Sequence, residues 1–181
     1  MIYFTGDTHR EQDVAKINPD DKFPKGKELT SDDYLIVMGD FGFVYDGGKG
    51  DKFWLDWLES LPWTCFIDGN HENFDLLNQY PQEQWHGGQI HRIRSNIVHL
   101  MRGEIFDIDH VRCFCFGGAP SHDAQYRVSN VNWWQEELPT MEQMKHAMHT
   151  LDKVGWKVDM VLTHEVFESH ELATKYTTNM D

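Results

Sequence analysis

Four short stretches bring together side chains that can do chemistry. Gly6-Asp7-Thr8-His9 offers a carboxylate and an imidazole two residues apart, and Gly39-Asp40-Phe41-Gly42 sets a second carboxylate between glycines. Gly69-Asn70-His71-Glu72 adds an amide oxygen, an imidazole and a third carboxylate, and His164 follows Leu162-Thr163 directly. Asp, His and Asn together are the oxygen and nitrogen ligand set that suits Mn, Fe, Zn or Mg, not Cu(I) or an iron–sulfur cluster. Taken singly, each has an ordinary structural reading: a turn, a chance Asp-x-His, a hydrogen-bonded histidine. Four in succession, each just past an apolar run, point instead to one shared metal site.

The elements that must position these groups are legible as those apolar runs. Ile2-Tyr3-Phe4-Thr5, Tyr34-Leu35-Ile36-Val37-Met38, Thr64-Cys65-Phe66-Ile67 and the stretch from Val158 to Thr163 each read as a strand covered on both faces. Asp40 lies 33 residues after Asp7, and Asn70 lies 30 after Asp40. A βαβ unit takes roughly 30 residues, so the groups can share one end of successive parallel strands. Ligands of open α/β sheets collect at that carboxyl edge, and flanking glycines let the backbone turn sharply there.

Asp51 to Leu61 spaces Phe53, Trp54, Trp57, Leu58 and Leu61 along one helical face. Thr140-Met141-Glu142-Gln143 reads as a capping box that opens a second helix, with Met141, Met144, Met148 and Leu151 as its expected core stripe and Gly155 as its stop. Between Glu11 and Asp33 at most two helical turns are expected before Asn18-Pro19 and a turn-rich loop. Asn96 to Leu100, Glu104 to Asp107 and His110 to Phe116 read as an antiparallel meander inserted into an otherwise α/β chain. With no internal repeat or linker, one domain over residues 1–181 is expected.

Composition bounds the function. Hydrophobic residues are 40% of the 181 and charged residues 25%, enough for a substantial core. No apolar run approaches the roughly 18 residues that span a bilayer, and the N-terminus lacks the pattern of a signal peptide. A soluble, cytoplasmic protein with no membrane partner is expected. The formal net charge of −14, with no basic stripe, argues against gripping a nucleic-acid backbone, although bound cations can reverse a local field and admit phosphates. Cys65, Cys113 and Cys115 form neither a disulfide framework nor a zinc knuckle, and are expected to be packed in strands.

In their order, Asp7-x-His9, Gly39-Asp40-x-Gly42, Gly69-Asn70-His71-Glu72 and His164 resemble the calcineurin-like metallophosphoesterase superfamily, from Ile2 to about Glu165. Gly117-Gly118-Ala119 followed by Ser121, Asp123, Arg127 and Trp133-Trp134 is similar to a bacterial and phage-type subgroup of unassigned substrate. The resemblance implies a layered αββα sandwich with a mixed sheet. It also implies two divalent ions (Mn, Fe, Zn or Mg), with Asp7 and His9 on the first, Asp40 bridging both, and Asn70 and His164 on the second. A bridging hydroxide would attack phosphorus in line while His71, the catalytic residue, protonates the leaving oxygen. The implied function is hydrolysis of a phosphomonoester or phosphodiester, with a phosphorylated small molecule or nucleotide as substrate. A metal-binding or interaction module without turnover is one alternative, and a nuclease, disfavoured by charge, is the other.

Departures from the pattern set further expectations. No Gly-His-x-His follows His164, and Ser169-His170-Glu171 holds the only later histidine. A shortened chain lacking its last strands is therefore expected. It would leave three protein ligands per metal and an open sheet edge that favours homo-oligomers. His122 and His170 are read as surface residues. The arginines that protein phosphatases carry beside the second and third motifs are absent, and Phe43 stands where an acid usually orients the catalytic histidine. Arg127 is a candidate phosphate contact, with a salt bridge as the equal alternative. Trp133-Trp134 is expected to pack under a loop, Glu72 to orient a ligand, and Gln135-Glu136-Glu137 to be a solvated approach to the second helix.

Overall fold

The computed structural model describes residues 1–166. Three strands, β1 (Ile2–Thr5), β2 (Tyr34–Met38) and β3 (Trp63–Ile67), pair in parallel in that order. The next two, β4 (Gln82–Trp85) and β5 (Gly88–Arg94), form an antiparallel hairpin, and β6 (Ile97–Leu100) joins it to β3. The result is a mixed six-stranded sheet ordered β1-β2-β3-β6-β5-β4. A second sheet, ordered β7-β8-β9, contains the hairpin β7 (Glu104–Ile108) and β8 (Val111–Phe116), with β9 (Met160–Thr163) parallel to β8.

The sheets bury a common core. Ile36, Cys65, Ile67, Val98 and Leu100 of the first meet Phe106, Ile108, Cys113, Cys115 and Leu162 of the second. On its other face the first sheet buries Leu35, Val37 and Phe66 against Phe41, Phe43 and the helix α1 (Lys49–Leu58) through Leu55 and Leu58. A four-residue helix, α2 (Phe74–Leu77), and a third, α3 (Met141–Lys153), complete the layers, with α3 beside β7. This is the α/β sandwich of two mixed sheets that the resemblance implied. All three thiols are free and buried in β3 and β8, and burial raises each above its ordinary range. Among the described residues no helix is long and apolar enough to cross a membrane.

Several local expectations are corrected. The meander is split: β6 belongs to the first sheet, parallel to β3, whereas β7 and β8 start the second. The β4–β5 hairpin was not anticipated, because Gln82-Glu83-Gln84 is a polar edge strand. The last of the four expected strands, β9, leads into His164 from the second sheet, so the four polar strand ends do not share one parallel sheet. Residues 10–28 form three 3₁₀ turns in place of α-helical ones.

Helix α3 forms with its expected capping box intact: Thr140 Oγ1 accepts from Gln143 N at 3.2 Å and Gln143 Oε1 from Thr140 N at 2.9 Å. Its methionines are not core, however, since Met141 is 62% exposed and Met148 57%. The helix approaches instead through Ala147, whose small side chain permits close contact with the turn at Gly103. In α1, Phe53 is exposed, and Asp51 is buried because its carboxylate accepts from the amides of Tyr45, Asp46 and Gly47 and from Arg10. Ser169-His170-Glu171 lies outside the described residues.

Candidate metal centre

The loops leaving β1, β2 and β3 are zipped together by their own backbones. Asp7 N donates to Gly39 O at 3.1 Å, His9 N to Asp40 O at 3.0 Å, and the buried Thr8 hydroxyl to Phe41 O at 2.8 Å. Buried Glu72 joins the second loop to the third, accepting from Phe41 N at 2.8 Å and Gly69 N at 3.3 Å. Burial, reinforced by Asp40 and Asp68, pushes the Glu72 carboxyl up to about 8. Asp7, His9 and Asp40 hold left-handed φ values of 50°, 41° and 52°. For non-glycine residues that conformation persists only where surrounding contacts impose it.

Two glycines make the close approach possible. At Gly39, with φ of 91°, a β-carbon would stand 2.2 Å from His164 Nδ1, and at Gly69 one would stand 2.1 Å from Asp40 Oδ1. Any side chain at either position would push the two loops apart.

What converges is a set of acceptors. Donor atoms of Asp7, Asp40 and His164 lie within 4.8 Å of one another. The Asp40 carboxylate is 4% exposed, with Oδ2 3.4 Å from His9 Nε2 and Oδ1 3.5 Å from His164 Nε2. His164 Nδ1 is 2.8 Å from Met38 O, which can only accept, so Nδ1 carries the ring proton. Nε2 of the same ring faces Asn70 Oδ1 at 3.3 Å. A cation among these lone pairs would serve Nε2 of His164, Oδ1 of Asn70 and the carboxylates of Asp40 and Asp7 together. The donor set and its geometry therefore fit a divalent metal ion.

The structure thus brings Asp7, His9, Asp40, Asn70 and His164 together at a seam, the first four from one sheet and His164 from the other. His71 stands beside them: its amide donates to Asp40 Oδ1 at 2.9 Å, and its ring centroid is 5.4 Å from that of His9. Burial lowers the pKa of the half-buried His71 ring, helped by Arg127 and His9 and opposed by Asp40. Arg127 makes the salt bridge that was one of its alternatives. Its Nε donates to Asp123 at 2.7 Å and its Nη1 to Asn132 O at 3.2 Å, while Nη1 and Nη2 lie 3.1 Å from the two nitrogens of His71.

A cleft of about 200 Å³ opens here, lined by His9, Arg10, Glu11, Gln12, Gly42, Tyr45 and His71. Arg10 and Tyr45 were not singled out from sequence; Arg10 could have been, since it directly follows His9. Trp134 is buried in the core cluster with Phe41 and Phe43 and donates to Asp75 of α2 at 2.8 Å, and His122 is exposed. One acid departs from expectation: Glu137 is 2% exposed, not solvated.

A family model described as calcineurin-like phosphoesterase matches residues 1–174. No curated protein and no solved structure matches the chain.

Proposed function

Since the chain belongs to the calcineurin-like phosphoesterase family, we propose that the seam hydrolyses a phosphoric ester with two divalent ions. Asp7 and His9 would hold one, Asn70 and His164 the other, and Asp40 both. The convergence of acceptors on one point, with His164 Nδ1 committed to Met38 O, carries this reading. Bound divalent ions would supply an activated water and neutralise charge on the phosphoryl oxygens.

The remaining work falls to the chain. His71, beside the ligands and lining the cleft, protonates the departing oxygen, worth on the order of 10²–10⁴-fold in rate. Arg127 backs that ring, and its Nη2, which has no carboxylate or carbonyl acceptor among the described residues, is the arm available to a phosphoryl oxygen. Zipped loops hold the ligands at fixed separations, so little reorganisation accompanies substrate binding. A phosphorylated small molecule or nucleotide suits this cleft better than a nucleic acid, given the net charge of −14.

The test is metal stoichiometry on the purified protein, paired with Mn-stimulated hydrolysis of p-nitrophenyl phosphate and its bis-ester. Two ions and turnover are expected in the native chain, with both lost in Asp40→Asn because the shared ligand is gone. Full Mn-stimulated turnover in Asp40→Asn would overturn the proposal. Metal uptake without turnover in the native chain would select a binding module instead.

A further inference from the structure

We propose that Ser121 and Glu137 are positioning residues that decide which end of the Asn70 amide faces the cation position. This deepens the reading above and rests on Asn70 being a metal ligand.

Three hydrogen bonds carry the inference. Asn70 Nδ2 donates to Ser121 Oγ at 3.0 Å, Ser121 Oγ donates to Glu137 Oε2 at 2.7 Å, and Ser121 N donates to Glu137 Oε1 at 2.8 Å. An asparagine amide has an accepting end and a donating end of nearly equal size, so only its partners can fix its direction. The direction here follows from the far end of the chain of bonds. A backbone N–H can only donate, which makes Glu137 Oε1 its acceptor. The other carboxylate oxygen takes the single proton of the Ser121 hydroxyl in a charge-assisted bond. Oγ then has only lone pairs left for Asn70, so the amide must present Nδ2 to Ser121. Its Oδ1 is thereby aimed at the seam, where it lies 3.3 Å from His164 Nε2.

Glu137 is well placed to hold this polarity. It is 2% exposed, and its own carbonyl accepts from Arg102 Nη2 at 3.2 Å. Arg102 is itself buried and paired with Asp68. Neither Ser121 nor Glu137 contacts the cation position; both act through Asn70.

Glu137→Gln reverses the relay without changing its shape. Ser121 N still requires an oxygen, so the new amide turns its NH₂ to Oγ. The hydroxyl proton, no longer taken at position 137, is free for Asn70, whose carbonyl oxygen accepts it as the amide swings its NH₂ toward the cation position. Asn70→Asp has no wrong end, because both carboxylate oxygens accept. The double variant Glu137→Gln/Asn70→Asp therefore suits the reversed relay.

The experiment titrates Mn²⁺ alone into the metal-free full chain by calorimetry, for the native protein and both variants. Two bound ions are expected in the native chain. One of the two sites is expected to weaken by about 10–100-fold in Glu137→Gln, and the double variant should regain most of that loss. Native-like binding in Glu137→Gln, or a double variant no better than the single, overturns the relay while leaving the ligand assignment intact. A native chain that takes up fewer than two ions overturns the assignment and the relay with it. Should Glu137→Gln lose its far-UV circular dichroism, Ser121→Ala replaces it. Deleting Oγ leaves the amide undirected, so one site should weaken and Asn70→Asp should restore it; no weakening overturns the relay.

Discussion

His71 and Arg127 share one wall of the cleft, and the protonation of the first depends on the second. Burial lowers the pKa of His71 and the adjacent guanidinium lowers it further. Arg127→Ala removes a positive charge from beside the ring, so His71 holds its proton to higher pH. The limb of the pH profile of kcat/KM on which His71 deprotonates is expected to move up in that variant, measured with the bis-ester. An unmoved limb would show that another group titrates there. At this scale the sequence announced the convergence of Asp7, His9, Asp40, Asn70 and His164, because residue type and spacing are themselves the signal. Glu137 was read wrongly for a physical reason. Acidic residues are almost never buried unless paired, and its partners, Ser121 and through it Asn70, arrive from distant loops that no local pattern announces.

Among the elements, the junction between β2 and the loop after it is the tightest. Gly39→Ala would set a methyl group 2.2 Å from the His164 ring at a φ of 91°. The expected result is an intact sheet with His164 pushed away from Met38 O and Asn70. Metal affinity should fall by at least about tenfold, with little change in far-UV circular dichroism. Retained affinity would mean that His164 does not hold a cation. Strands β2 and β3 were legible because buried parallel strands are continuous apolar runs; β1 and β9 gave the same signal but are sheet edges, with Phe4 and Val161 exposed and not covered on both faces. Thr140-x-x-Gln143 announced its helix by the chemistry of the cap. The methionine stripe misled because periodicity identifies an apolar face without saying which face packs. On α3 the answer came from backbone proximity at Ala147 and Gly103. The β4–β5 hairpin left a faint trace in His86-Gly87, both at positive φ, the residue pair of a tight turn.

Across the whole molecule, a buried polar chain runs from the site loop toward the sheet edge. Asp68 meets Arg102 and His99, His99 Nδ1 lies 3.0 Å from His91 Nδ1, and His91 reaches Gln82 on β4. Burial, with the neighbouring His99, lowers His91 from its ordinary 6.5 to about 4. As pH falls below 6.5 the unfolded chain takes up a proton on His91 that the folded chain refuses until about 4, so stability declines through that window. Thermal melts in chelator should show a melting temperature that drops between those values, and His91→Gln should flatten the slope; an unchanged slope would place the titration elsewhere. Burial raises the Asp68 carboxyl, but Arg102 and His99 outweigh it and hold the group near 2, so its contribution is lost only at still lower pH. The layered plan came from the family resemblance and not from periodicity, because nothing local tells a strand such as β9 which of two sheets it will join. That division bears on how much change the chain can absorb. Asn70 and His164 meet from opposite layers, so a small slip of one sheet over the other separates them long before anything unfolds. Residues such as Ile67, Cys115 and Leu162, sealed between the layers and out of reach of any substrate, are thereby held to the tolerances of the chemistry itself. Variation can accumulate freely on the outer methionines of α3, and scarcely at all in that hidden seam.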